Sequence, residues 1–198
     1  MRIIGGTAKG RRLASFRTSS IRPTTDRVRE SIFNILPLHF ELMHVLDLFA
    51  GTGAMGLEAL SRGAKSATFI DSDPQAVKVI KKNLELCGFT KKAVIITRDV
   101  KASLNLLSKK REQFELIIID PPYDTSLMGI TLNLIGEKEL LAKNGIVVAE
   151  SSKRMVWDGE VKGIELFDRR KYGDTVVSFY RIMKQADRVG VKTATRLP

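Results

Sequence analysis

The 198-residue sequence holds one cysteine (Cys87), two histidines and no long apolar run, and each scarcity removes a class of protein. A lone cysteine can neither close an internal disulfide nor supply a multi-cysteine metal site, and it suits a reducing cytoplasm. Cys87 reads as core filler near a helix end. Without a stretch of about 18 apolar residues there is no candidate membrane span. The opening Met1-Arg2-Ile3-Ile4-Gly5-Gly6 lacks the apolar segment of a secretory signal. His39 and His44 read as ordinary surface or packing residues, and no His/Cys/Asp cluster suggests a metal. Trp157, the single tryptophan, reads as a packing residue. There is no internal repeat and no low-complexity tract.

What is present is a globular composition with an uneven charge. Hydrophobic residues make up 43% of the chain, enough for a sizeable core. The net charge of +11 lies at the ends. Residues 1–30 hold eight Lys/Arg against two acids, and residues 181–198 hold five against one. The 150 residues between them carry 20 basic and 19 acidic side chains. A near-neutral body with basic ends points to a polyanionic partner, nucleic acid ahead of a membrane surface.

Residues 1–22 read as a short hairpin or extended arm. A helix follows Pro23, capped by Thr24 or Thr25, with Val28, Ile32, Ile35 and Leu36 on one face and a stop at Pro37. Short apolar strands then alternate with helices: Val45–Phe49, Ala54–Ser61, Ala67–Ile70, a helix opened by Asp73-Pro74 and closed by Gly88, Ala93–Thr97, Lys101–Leu107, Phe114–Ile119, Leu127–Ile135 and Ile146–Ala149. Such alternation predicts an α/β fold, a doubly wound and mostly parallel sheet covered on both faces. Ile164–Phe167 and Thr175–Ile182 read as a closing antiparallel hairpin turned at Lys171-Tyr172-Gly173-Asp174. The expected organisation is an arm and helix over 1–40, a catalytic domain over 41–184 and a basic tail over 185–198.

The first chemical motif is Asp47-Leu48-Phe49-Ala50-Gly51-Thr52-Gly53-Ala54-Met55-Gly56, placed where the first strand turns into its helix. Gly51 and Gly53 permit a tight turn and close ligand approach, beside the N–H groups of the helix start. Asp71 ends the next strand, where an acid commonly takes two ribose hydroxyls. The set predicts an adenosine-containing cofactor. Gly51, Gly53 and Gly56 also fit a dinucleotide fingerprint, but Asp47 would repel a pyrophosphate. It suits the ammonium and sulfonium of S-adenosylmethionine. Asp99 ends the third strand, placed to accept from an adenine amine, to cap the next helix, or both. The expected cofactor set is Asp47, Phe49, Gly51, Thr52, Gly53, Asp71, Asp99 and Val100.

The second motif is Asp120-Pro121-Pro122-Tyr123, at the end of the fourth strand, next to the first strand at the topological switch point. Two prolines stiffen the loop and remove two donors, leaving acceptors. An aromatic amine has its lone pair delocalised into the ring, and two acceptors holding its hydrogens draw it toward a nucleophilic geometry. Asp120 and the Pro121 carbonyl are the expected acceptors, with Pro122 bracing the loop and Tyr123 stacking on the base. Together the two motifs predict methyl transfer from S-adenosylmethionine to an exocyclic amine, without a metal.

These residues resemble class I methyltransferases, which pair a D-x-x-x-G-x-G loop with an [Asn/Asp/Ser]-Pro-Pro-[Tyr/Phe] motif. More narrowly, the chain is similar to the bacterial 16S ribosomal RNA guanine-N2 methyltransferases. Arg2-Ile3-Ile4-Gly5-Gly6, Lys9-Gly10-Arg11-Arg12-Leu13, Arg22 to Asn34, Val45 to Ala59 and Lys171-Tyr172-Gly173-Asp174-Thr175 carry that resemblance. Thr52 stands where serine is common. The resemblance implies a Rossmann-like, seven-stranded sheet with an antiparallel last strand, and small-subunit ribosomal RNA within the assembling subunit as substrate. It also implies guanine, since the acceptor loop alone would hold adenine or cytosine equally. Arg11, Arg12, Arg22, Arg27, Arg29, Lys171 and Tyr172 are the expected RNA contacts. A cytoplasmic monomer is the default expectation. The open alternatives are a DNA or other RNA amine methyltransferase (adenine N6 or cytosine N4), a non-catalytic ribosome-assembly factor, and an NAD-dependent oxidoreductase.

Overall fold

The computed structural model describes residues 1–15, 26–36, 40–122 and 125–183. Seven strands form one sheet: β1 His44–Leu48, β2 Ser66–Asp71, β3 Ala93–Thr97, β4 Phe114–Ile119, β5 Leu141–Ser152, β6 Ile164–Tyr172 and β7 Thr175–Ile182. Five helices accompany it: α1 Asp26–Ile35, α2 Ala54–Ser61, α3 Pro74–Cys87, α4 Val100–Lys109 and α5 Thr125–Glu137. The strand order is β3-β2-β1-β4-β5-β7-β6, with β7 antiparallel to both its neighbours and β1 to β5 mutually parallel. This is the doubly wound architecture expected from the β/α alternation, with its switch point between β1 and β4.

Strand residues alternate between two apolar layers. Val45, Leu116, Ile118 and Val148 join α1, α2 and α3 on one side. Leu46, Leu48, Ile117, Ile119, Val147 and Ala149 join α4 and α5 on the other. Leu46, Leu48, Ile70, Ile117 and Ile119 are fully buried, and each such side chain contributes roughly 1.5–3 kcal/mol. The local signals act as read. Asp73 accepts from the Gln75 N–H at 2.8 Å, Pro74 takes the first turn of α3, and Gly88 closes it in a left-handed conformation. Cys87 is the buried last residue of that helix.

Two strands run well beyond the sequence expectation. β5 starts at Leu141, five residues early, through an irregularity in its pairing with β4 between Phe114 and Leu116, and runs on past Ala149 to Ser152. β6 runs on through Lys171 and Tyr172, which pair with Val176 and Thr175, so only Gly173 and Asp174 make the turn. Polar residues at half-exposed edge positions hid both extensions from a reading based on apolar runs.

The arm is a hairpin closed by an Arg2–Arg12 bridge, and Ile3, Ala8 and Leu13 share the core with α1 and α2. Its docking is polar as well. Glu58 of α2, fully buried, accepts the Ile4 and Gly5 N–H groups at 2.8 Å each and faces Arg29 and Arg62. Ser61 accepts from the Ala8 N–H and donates to the Gly5 carbonyl. Asn83 of α3 bonds both backbone groups of Ala14 and the carbonyl of Thr52, joining the arm to the glycine loop. Thr24, Thr25, Pro37 and the tail beyond Met183 lie outside the described residues.

Candidate active site

Leu48 and Ile119 are register partners in β1 and β4. The two motifs therefore leave the sheet side by side, above a cavity of about 1230 Å³. Asp47, Phe49, Gly51, Thr52, Asp71, Asp99, Val100, Asp120, Pro121, Pro122, Glu150 and Tyr172 all line it.

The glycine loop is built by steric necessity. Gly53 has φ +75°, and Gly56 packs so tightly against β2 that a Cβ there would stand 2.4 Å from the Phe69 ring and 3.1 Å from an Asp47 oxygen. Phe49 has φ 58° without being glycine, a strained conformation of the kind that concentrates at ligand sites. Asp71 fixes the loop from below: one oxygen accepts the Gly51 N–H at 2.8 Å and the other accepts the Asp73 N–H at 2.9 Å. Asp99 accepts the Ala102 N–H at 2.9 Å, so it does cap α4, with its side chain still exposed to the cleft.

Asp47 is 3% exposed and accepts the Gly56 N–H at 2.9 Å. Burial pushes its carboxyl up to about 7, against the pull of the Gly56 N–H and with a further push from the charge of Asp71. No cation among the described residues pairs with it. A buried acid lining a cavity, without a positive partner of its own, fits a cationic ligand and opposes a pyrophosphate. The residues present therefore suit the ammonium and sulfonium of S-adenosylmethionine.

Asp120 faces the cleft and is open to its water. The surrounding walls nevertheless strip enough solvent to push its carboxyl well above the usual carboxylate range, and the charges of Glu150 and Asp47 push it further. It accepts no hydrogen bond from the described residues. Glu150 follows Ala149, the register partner of Ile119, so it stands in β5 beside the residue that follows β4. Sequence reasoning passed over Glu150, because it lies just past the apolar run that ends at Ala149 and carries no motif. Glu58, Ser61 and Asn83 were missed for the same reason: a buried polar residue inside a helix announces itself only by its partners.

The expected RNA contacts divide. Arg11, Arg12, Arg27 and Lys171 are exposed, although Arg11 donates to the Leu86 carbonyl. Tyr172 is half-buried, packs on the core and lines the cleft. Arg29 is a correction. Its side chain is fully buried, pairs with Asp26 at 3.0 Å and with Glu58 at 3.6 Å, and donates to the Arg2 carbonyl. It fastens the arm to α2 and is not placed to meet RNA. Arg22 and Tyr123 lie outside the described residues. His44 shares a hydrogen bond with Ser66 at 2.8 Å, and Trp157 packs on the α4/α5 layer, both away from the chemistry.

A doubly wound sheet with an acid-flanked glycine loop facing an Asp-Pro-Pro turn across its switch point defines a Rossmann-like methyltransferase. Comparison with known proteins narrows the class. A family model described as "Conserved hypothetical protein 95" matches residues 1–181, and the chain belongs to that family. It is 38% identical over 181 residues to the "Putative rRNA methyltransferase YlbH" of Bacillus subtilis, covering 91% of this chain and 98% of the relative. It is 37% identical over 151 residues to the "Ribosomal RNA small subunit methyltransferase D" of Escherichia coli K12, covering 76% and 74%. Among solved structures, the "Putative methyltransferase yhhF from Escherichia coli" superposes with a TM-score of 0.79 at 30% identity, covering 92% of this chain and 97% of that one. No helix among the described residues is long and apolar enough to cross a membrane.

Proposed function

We propose that this protein transfers a methyl group from S-adenosylmethionine to the exocyclic N2 amine of a guanine in small-subunit ribosomal RNA. The observation that carries the reading is the register of β1 and β4, which sets Asp120 beside the glycine loop in one cleft. The names of the relatives in Bacillus subtilis and Escherichia coli support ribosomal RNA as the substrate class. The exposed arginines of the arm and of α1 supply the basic surface such a substrate needs.

The cofactor set is Asp47, Phe49, Gly51, Thr52, Gly53, Asp71, Asp99 and Val100. Asp71 holds the loop and presents remaining acceptor capacity to ribose hydroxyls, and Asp47 answers the positive charge. Bound there, S-adenosylmethionine supplies an electrophilic methyl on sulfur, whose carbon–sulfur pair returns to sulfur on transfer. Asp120 and the Pro121 carbonyl accept the two hydrogens of the amine and leave its lone pair to form the new N–C bond. The nitrogen then sheds one proton, and Asp120, whose proton affinity the surrounding walls raise, takes it and passes it to water. Holding the amine in line accounts for a large part of the rate. Pro122 stiffens the turn and Tyr123 is assigned to stacking on the base. Arg11, Arg12, Arg22, Arg27, Lys171 and Tyr172 are assigned to the RNA.

The test uses radiolabelled cofactor, small subunits from cells lacking the corresponding enzyme, and digestion of the RNA to nucleosides. Label in N2-methylguanosine with the wild type, and none with Asp120→Ala, is the expected result. Label in another base would keep the chemistry and overturn the base. Absence of cofactor binding would overturn the enzyme reading in favour of an assembly factor.

A further inference from the structure

Glu150 is a charged residue of the cleft, beside Asp120, that neither motif accounts for. It lies in β5 one step beyond Ala149, as Asp120 follows β4 one step beyond Ile119, and Ile119 and Ala149 are register partners. In adjacent parallel strands, register partners project to the same face, about 4.8 Å apart. Both acids line the same cavity. Pro121 stands beside them with no N–H to donate, so these three residues bring acceptors to that wall.

A wall of acceptors discriminates between bases by what stands next to the amine. In adenine the ring nitrogen beside the amine is a lone pair, and in cytosine likewise. In guanine the neighbour is N1–H, so the amine and the ring together present a continuous donor edge. A carboxylate against an adenine or cytosine lone pair would meet no donor and lose its water, whereas against N1–H it gains a charge-assisted hydrogen bond.

We propose that Glu150 is the specificity-determining residue for guanine, its carboxylate accepting N1–H while Asp120 and the Pro121 carbonyl hold the adjacent amine. This rests on the methyltransferase reading of the cleft and names the residue within it that chooses the base.

The experiment replaces the target guanine, in reconstituted small subunits, with 2-aminopurine, which keeps the amine but has a lone pair at N1. Wild-type protein is expected to favour guanine by about ten- to a hundredfold in kcat/KM, the range of one charge-assisted hydrogen bond. Glu150→Gln can turn its amide N–H toward a lone pair, so its preference should shrink to within about threefold. Glu150→Ala should lose activity on guanine without gaining it on 2-aminopurine. Cofactor affinity, measured in parallel, should be unchanged in both variants and verifies that the cleft has folded. A Glu150→Gln protein that binds cofactor and keeps the wild-type preference would overturn the assignment of Glu150 and leave the proposed reaction standing. Wild-type protein that labels neither RNA, or labels another base, would overturn the reaction as read and this assignment with it.

Discussion

The two halves of the cleft use the same residue type in opposite ways. On the cofactor side each acid is already engaged: Asp71 holds Gly51 and Asp73, Asp99 holds Ala102, and Asp47 holds Gly56. On the base side Asp120 accepts nothing from the described residues and stands beside Glu150, whose charge raises the cost of its own. The first half is a preformed mould whose carboxylates shape backbone. The second holds one acid, Asp120, that no described residue supplies with a donor, to be met by a donor that arrives with the substrate. That asymmetry suits a small flexible cofactor on one side and a rigid base on the other, since a rigid ligand can satisfy an acceptor that the described residues leave open.

Removing the incomplete half should do the greatest damage to turnover and the least to binding of cofactor. Asp120→Ala deletes an acceptor of the amine hydrogens and the proton acceptor together, and should lower kcat by about a thousandfold or more. Equilibrium titration with S-adenosylmethionine should give the wild-type Kd. If the variant instead loses cofactor and keeps its residual rate once saturated, the division of labour between the halves is wrong.

The complementary variant attacks the mould. Asp71→Ala frees the Gly51 and Asp73 N–H groups and removes the acceptor assigned to the ribose, so cofactor affinity should fall by about a hundredfold. At saturating cofactor, kcat should recover to within a few-fold of wild type. A loss that saturation does not repair would mean that Asp71 shapes the base side too.

The same contrast explains what could be read in advance. The strands from β1 to β4 are apolar runs bounded by Gly, Pro and Asp, and β1, β3 and β4 fall within a residue or so of their expected limits. Motif residues are legible because their roles are backbone roles: Gly53 needs φ +75° and Gly56 needs room beside Phe69. Arg29 was not legible. It sits in the same block as Arg27, and only packing distinguishes them: Arg27 leaves α1 toward water, while Arg29 is fully buried against Glu58. Glu58, in turn, reads as one acid in an apolar helix until the arm folds over it and its oxygens receive Ile4 and Gly5. Glu150 lies in a strand extension whose exposed and polar residues broke the apolar pattern. Side chains that serve a neighbour distant in sequence leave no periodic trace.

The smallest predicted effect is the one that joins stability to function. Asp47 is buried with its carboxyl raised to about 7 from an ordinary 3.8. A carboxyl raised on folding is carried more readily protonated by the native state, so its contribution to stability declines as pH rises from about 4 to about 7 and is constant above. Asp47→Asn keeps an oxygen for the Gly56 N–H and removes the charge. It should therefore raise the melting temperature of the cofactor-free protein at pH 8, by a difference on the order of a few kcal/mol in stability. The gap between the two proteins should narrow as pH falls through 7 and close near pH 4, where the carboxyl is neutral in the native and the unfolded chain alike. Cofactor affinity should move the other way. Asp71 and Asp120 also face this carboxyl, but Asp47 is the buried charge assigned to the cation, so wild-type affinity should weaken by up to about tenfold per pH unit below 7. The variant should bind more weakly at pH 8 and show little change down to pH 6. A wild-type Kd that is flat across this range, together with an equal Kd for the variant, would remove Asp47 from the cation site and leave it as a residue of the loop alone. A melting gap that persists undiminished at pH 4 would mean that the amide packs better than the acid for reasons unconnected with charge.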